Sequence, residues 1–107
     1  MWVMAANRVQ FRDVIPYEVP LSLSALRGPA DGMLDVPITV HWGPSRVFDL
    51  DEAGQRRMVY QALVREGTPQ VQEALLNETL LRQEWAGLIL PERCRALWEE
   101  HFPGLAA

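Results

Sequence analysis

The segment Phe48-Asp49-Leu50-Asp51-Glu52 divides the chain between two hydrophobic periods. Upstream, Leu34, Val36, Ile38, Val40 and Trp42 alternate with Asp35, Pro37, Thr39 and His41, the two-residue period of a half-buried strand. Downstream, Met58, Val59, Ala62 and Leu63 recur at the spacing of one helix face. A period of two cannot continue into a period of 3.6 without a change of element. The chain therefore reads as α+β, a small antiparallel sheet of two or three strands followed by a compact block of about four short helices.

The strand from Leu34 to Trp42 is expected to turn at Gly43-Pro44-Ser45 and return over Arg46 to Leu50. A three-residue turn sets Val40 opposite Phe48 and Ile38 opposite Leu50, so that apolar pairs share one face. Pro37 has no backbone donor, which makes one side of this strand an open edge. Arg8 to Arg12 alternates as well and supplies a third strand, while Pro16 to Pro20 reads as an extended connection. Ser22 to Arg27 is expected to form one or two helical turns, ended by Gly28-Pro29.

Punctuation sets the helices. The first runs from Asp51 to Gly67, a C-cap residue. Thr68 and Pro69 read as N-cap and first position of a second helix holding Val71, Leu75 and Leu76. Asn77 or Thr79 caps a third, with Leu80, Leu81, Trp85 and Leu88 inward, and Pro91 opens a fourth, with Cys94, Leu97, Trp98 and Phe102 inward. A length of 107 residues suits a single domain, residues 1–50 mainly extended and 51–107 helical. With 49% hydrophobic residues and four tryptophans, the chain has apolar surface enough for its own core.

Composition narrows the function. A net charge of -4 argues against a nonspecific grip on nucleic acid, which needs surplus cations to displace counterions. Every basic residue is arginine, as a GC-rich coding bias would produce. A lone cysteine, Cys94, cannot form an internal disulfide, and on the apolar stripe it reads as a buried, inert thiol. Met1 to Ala6 lacks the basic start of a signal peptide, and no apolar run reaches the length of a membrane span, so a cytoplasmic protein without membrane association is expected. No cofactor motif is present, since the glycines are scattered and no lysine accompanies them.

Asp49 and Asp51, one residue apart at a strand end, could share a divalent cation in phosphoryl or nucleotidyl transfer, with His41 beside Asp49 on the polar face. The competing reading is local: Asp49 or Asp51 caps the following helix, and Asp49 with Glu52 has capping-box spacing. The second has the stronger mechanism, because acidic residues suit a helix N-terminus. Arg56, Arg57 and Arg65 on one helix, with Arg93 and Arg95 on another, alternate with glutamates and read as a mixed, solvated face. A DNA-reading helix at Thr79 to Leu88 would offer only Arg82 and Gln83. Trp2 and Trp42, near a chain end and a sheet edge, are the aromatic side chains suited to a partner, together with the edge at Pro37.

The landmarks Leu26-Arg27-Gly28-Pro29, His41-Trp42-Gly43-Pro44, Phe48-Asp49-Leu50, Arg65-Glu66-Gly67-Thr68 and Leu90-Pro91 with Arg95 and Trp98 resemble small uncharacterised proteins of GC-rich bacteria. These occur in mobile or defence-like gene neighbourhoods, sometimes near nucleotidyltransferase-type toxins. The resemblance implies a partner or regulatory role, antitoxin-like, and no transferable active-site residue. The expected function is thus a non-enzymatic interaction module that binds another protein or itself through an edge strand. A metal-dependent enzyme using Asp49, Asp51 and His41, and a DNA-binding regulator, are the alternatives.

Overall fold

The elements follow the punctuation of the chain: a single 3-10 turn Leu23–Ala25, strands β1 (Met33–Asp35) and β2 (Val47–Asp49), then helices α1 (Ala53–Glu66), α2 (Pro69–Leu75), α3 (Glu78–Glu84) and α4 (Glu92–His101). Further 3-10 turns at Trp85–Gly87 and Pro103–Leu105 close α3 and α4. The structure, a computed structural model, describes residues 17–37, 40 and 47–106. The expected strand over Arg8 to Arg12 and the turn at Gly43-Pro44-Ser45 lie outside the described residues, as do Trp2, His41 and Trp42. The two paired strands and four helices form the expected α+β arrangement.

Each helix starts on a side chain that accepts an otherwise orphaned N–H, or on a proline that lacks one. Thr68 Oγ1 accepts from Val71 N–H at 3.3 Å ahead of Pro69, and Asn77 Oδ1 accepts from Leu80 N–H at 3.2 Å. Pro91 precedes α4. At α1 the cap is Glu52, whose Oε2 accepts from Gln55 N–H at 2.6 Å. This corrects the expectation that Asp49 or Asp51 would cap. Gln55 reaches back instead to Asp49, accepting its N–H at 2.9 Å, and so joins the helix to β2. Gly67 ends α1 as expected, but with φ of −77° rather than a left-handed turn. Glycine is required there by space: a Cβ would stand 2.6 Å from the Leu63 carbonyl oxygen.

The sheet differs in register from the sequence expectation. Leu34, not Val40, lies opposite Phe48, with Met33 opposite Asp49 and Asp35 opposite Val47. The ladder gains one further bond, Leu50 N–H to Gly32 O at 2.8 Å, at a glycine with φ of +79°. β1 stops at Asp35, and Pro37 turns the chain by accepting from Val40 N–H at 2.9 Å. The displacement from Val40 to Leu34 is an even number of residues, so it leaves the described apolar side chains on their expected face. Leu34, Val36 and Val40 are all buried. Alternation predicted burial correctly and pairing wrongly, because the chain turns from Pro37 to Val40 while the buried positions keep their two-residue spacing.

The core lies between the inner face of the sheet and the helices. Leu34, Phe48 and Leu50 meet Val59, Tyr60, Leu63 and Val64 of α1, and Leu76, Leu81, Trp85, Cys94 and Trp98 complete one continuous cluster. The buried stripe of α1 is rotated from the expected one, since Tyr60 and Val64 are inside and Met58 is 49% exposed. Trp85 and Trp98 stack with ring centroids 5.9 Å apart in a tilted arrangement.

Helix α2 is clasped on one side by the segment 17–28. Gln72, fully buried, directs Nε2 at the carbonyls of Glu18, Leu63 and Gly67 within 3.1 Å. Glu73 accepts from Leu21 N–H, and the C-terminal carbonyls of Glu73 and Leu76 accept from Arg27 and Gly28 N–H at 2.8 Å. Carbonyls that α2 leaves open at its end are thereby satisfied by the incoming chain.

Candidate functional site

Asp49 and Asp51 stand at the junction of β2 and α1, and their geometry is that of a turn. Asp49 Oδ1 accepts the Asp51 N–H at 2.9 Å, while the Asp49 carbonyl accepts from Glu52 N–H at 3.1 Å. One carboxylate oxygen of the pair is thus bound by the backbone two residues on, an Asx turn. Among the described residues no group of three or more His, Cys, Asp and Glu side chains converges as metal ligands would. The pairing of His41 with Asp49 lies outside the described residues.

The strongest electrostatic feature was not singled out from the sequence. Glu84, 4% exposed, receives Arg57 Nε at 2.8 Å on one oxygen and Arg56 Nε at 3.0 Å and Nη2 at 2.9 Å on the other. Arg56 Nη1 also donates to the Leu50 carbonyl at 2.9 Å, so the cluster ties the end of β2 to α1 and α3. Arg57 foremost, with Arg56 and Gln83 adding, holds the Glu84 carboxyl below its ordinary range against the opposing effect of burial. Arg56 is thereby drawn out of the solvated face expected of it, whereas the Arg57 side chain stays 53% exposed. The available signal was helical spacing: Glu84 falls on the stripe of Leu80, Leu81 and Leu88, where a carboxylate must find cations.

Arg95 is likewise engaged. Its guanidinium lies 5.0 Å over the Trp85 ring and donates to the carbonyls of Trp85 and Leu88. Trp85 Nε1–H donates to Glu99 at 2.9 Å. Arg82 is held by Glu78, and Gln83 donates to Glu84, so both expected DNA-reading side chains are bound within the chain. Arg57, Arg65 and Arg93 remain exposed, in keeping with the solvated description, and Arg65 pairs with Glu66 at 3.1 Å. Cys94 is buried as expected, and burial pushes its thiol up to about 11, which leaves it protonated at neutral pH. Burial pushes Tyr60 up to about 12, and its hydroxyl accepts from Asn77 N–H at 2.9 Å.

Hollows that could take a ligand lie elsewhere. A groove of about 570 Å³ runs between the end of β1 and α2. Asp35, Val36 and Pro37 form one wall, and Gln70, Val71, Ala74 and Leu75 form the other. Pro37, expected on an exposed strand edge, stands instead on the rim of this groove, just beyond the last paired residue. Val71 and Leu75, expected inside a second helix, are half-buried and line it. Nearby on the outer face of β1, Met33 is 63% exposed. A second hollow of about 480 Å³ is formed by Tyr17, Pro91, Glu92, Arg93 and Ala96, where Arg93 has an interaction partner in the chain.

Among the described residues no helix is long and apolar enough to cross a membrane. Comparison with protein-family models, with curated proteins and with solved structures finds no match for the chain.

Proposed function

We propose that this chain is a non-enzymatic interaction module, and that the groove between β1 and α2 is its docking surface. The observation that supports this reading is the disposition of α2. The side chains of Gln72 and Glu73 bond the clasping segment, and Gln70, Val71 and Ala74 lie roughly half a turn away at about 100° per residue, on the groove. That second face has apolar side chains and a wall opposite it, the arrangement into which a partner's side chain fits. The buried ionic groups support the same reading, because both oxygens of Glu84 are held by Arg56 and Arg57 and act to join elements. A regulatory or antitoxin-like role, as the resemblance implies, is one form that such docking takes.

The test is capture with and without the groove. Immobilised wild-type chain is expected to retain a partner set from its source lysate that the groove-filling variant Ala74→Arg loses. Alanine to arginine keeps good helix propensity, so α2 should form in both. A partner set unaffected by Ala74→Arg would overturn the groove as the docking surface.

A further inference from the structure

We infer that the occupant of this groove is an extended polypeptide segment of alternating basic and apolar residues, added as a strand to the free edge of β1. The inference rests on the docking role proposed for the groove and names the chemistry of the partner. Three independent features lead to it.

The first is the backbone. Leu50 N–H bonds Gly32 O across the ladder, and antiparallel pairs alternate between bonded and non-bonded. Leu34 is therefore the residue of β1 that bonds β2, and the N–H and C=O groups of Met33 and Asp35 point away from β2. They meet no partner among the described residues. An edge of this kind accepts a strand from another chain.

The second is the pair of faces that an added strand would meet. Leu34 is buried on the inner face of β1, and Val36, one residue past its end, is also buried and lines the groove with Val71 and Leu75. Inward side chains of the added strand thus fall on apolar surface. Its alternate side chains fall beside Met33 and Asp35, which share the outer face.

The third is charge. Within 31–37 and 47–52 the described residues have five carboxylates, Asp31, Asp35, Asp49, Asp51 and Glu52, and no basic side chain. Arg46 and His41 lie outside the described residues. Asp49 and Glu52 are bound in the turn and the helix cap, whereas Asp31, Asp35 and Asp51 have no ion-pair partner among the described residues. Cationic side chains would find the carboxylates of Asp35 and Asp49 on this outer face, further acidic residues in the adjoining turns, and apolar surface on the inner face.

The experiment uses the full chain, isotopically labelled, titrated with three synthetic heptapeptides while backbone amide signals are followed. One peptide alternates arginine and valine, one alternates glutamate and valine, and one repeats the arginine peptide with N-methylated backbone on its edge-pairing side. Saturable shifts of the Met33, Asp35, Val71 and Ala74 amides are expected with the first peptide and not with the second. N-methylation should abolish them, and Asp35→Asn should weaken binding roughly two- to fivefold, the value of an exposed ion pair. The same amides responding to the glutamate peptide would overturn the basic occupant while leaving the groove as a docking surface. Shifts scattered over Asp31, Asp51 and Glu52, without Val71 or Ala74, would show charge attraction alone and overturn strand addition. Concentration-dependent shifts of these amides with no peptide present would make a second copy of the chain the occupant, again overturning the inference. Failure of every peptide together with unchanged capture by Ala74→Arg would remove the docking reading itself.

Discussion

Glu84 is a side chain whose removal separates three elements at once. Its oxygens hold Arg56 and Arg57, and Arg56 in turn holds the Leu50 carbonyl at the end of β2. Glu84→Gln keeps the size and an acceptor but removes the charge that two guanidinium groups share. A loss of about 1–3 kcal/mol in unfolding free energy at pH 7 is expected, less than for deletion of the side chain, because Arg57 stays half in solvent. The pH dependence has a definite sign. The folded carboxyl titrates below its ordinary value, so the cluster adds stability above the unfolded pKa of about 4.3 and loses it as pH falls through the lower folded value. Urea unfolding at pH 7 and at pH 3 should therefore show the gap between wild type and Glu84→Gln closing in acid. A gap of constant size across that range would mean that the charge contributes nothing. Glu84 could have been found from its place on an apolar helix stripe. Its partners could not, because the approach of α1 to α3 is a property of the packed molecule.

Two glycines show how the elements were only partly legible. Gly28 was read as ending a helical turn, but that turn stops at Ala25 with Leu26 already extended, and the need for glycine at 28 is tertiary. A Cβ at Gly28 would stand 2.1 Å from the Leu75 carbonyl oxygen, and Gly28 N–H bonds the Leu76 carbonyl. Gly32 has open space around it but a backbone at φ of +79°. Gly28→Ala must push the clasping segment off α2, losing the bonds from Arg27 and Gly28 N–H and the Asn77 side-chain bond to Gly28 O. About 2–4 kcal/mol is expected from three bonds and the associated packing. Gly32→Ala meets only conformational strain, about 1–2 kcal/mol. Thermal unfolding of the two variants checks the order, and an equal or reversed order would contradict close approach as the constraint at Gly28. The helix starts were legible because Thr68-Pro69, Asn77 and Pro91 act within one turn of themselves. The register of β1 on β2 was not legible, since Leu34, Val36 and Val40 all satisfy the same alternation and nothing in that pattern marks the turn from Pro37 to Val40. The groove stayed hidden for the same reason: Pro37 and Val71 lie far apart in sequence, and neither signals the other.

At the scale of the whole chain, the helices and the sheet are held by different means. Trp85, Trp98, Cys94, Leu63 and Val64 are fully or almost fully buried in the helical block. The described sheet has two strands of three residues, and a pair that short is marginal without support. Its support comes from Phe48 and Leu50 in the core, from Gln55 accepting Asp49 N–H, and from Arg56 donating to the Leu50 carbonyl. The two polar ties both come from the first turn of α1. The sheet is therefore expected to open as a unit before the helices do, in a sub-global step of the kind that hydrogen exchange resolves. Amides of Leu34 and Leu50 should exchange at least about tenfold faster than those of Leu63, Val64 and Trp98, a difference of about 1.4 kcal/mol in opening free energy. Arg56→Ala should widen that gap more than Arg57→Ala, since Arg57 does not reach β2. Equal exchange rates in the two groups would show one cooperative unit instead. The outcome bears on the docking edge, because a β1 that opens readily must be ordered by its partner, and that ordering weakens the affinity observed. A peptide that pairs with Met33 and Asp35 should then slow exchange at Leu34 and Leu50 while leaving Trp98 unchanged, which links the binding surface to the least stable part of the fold.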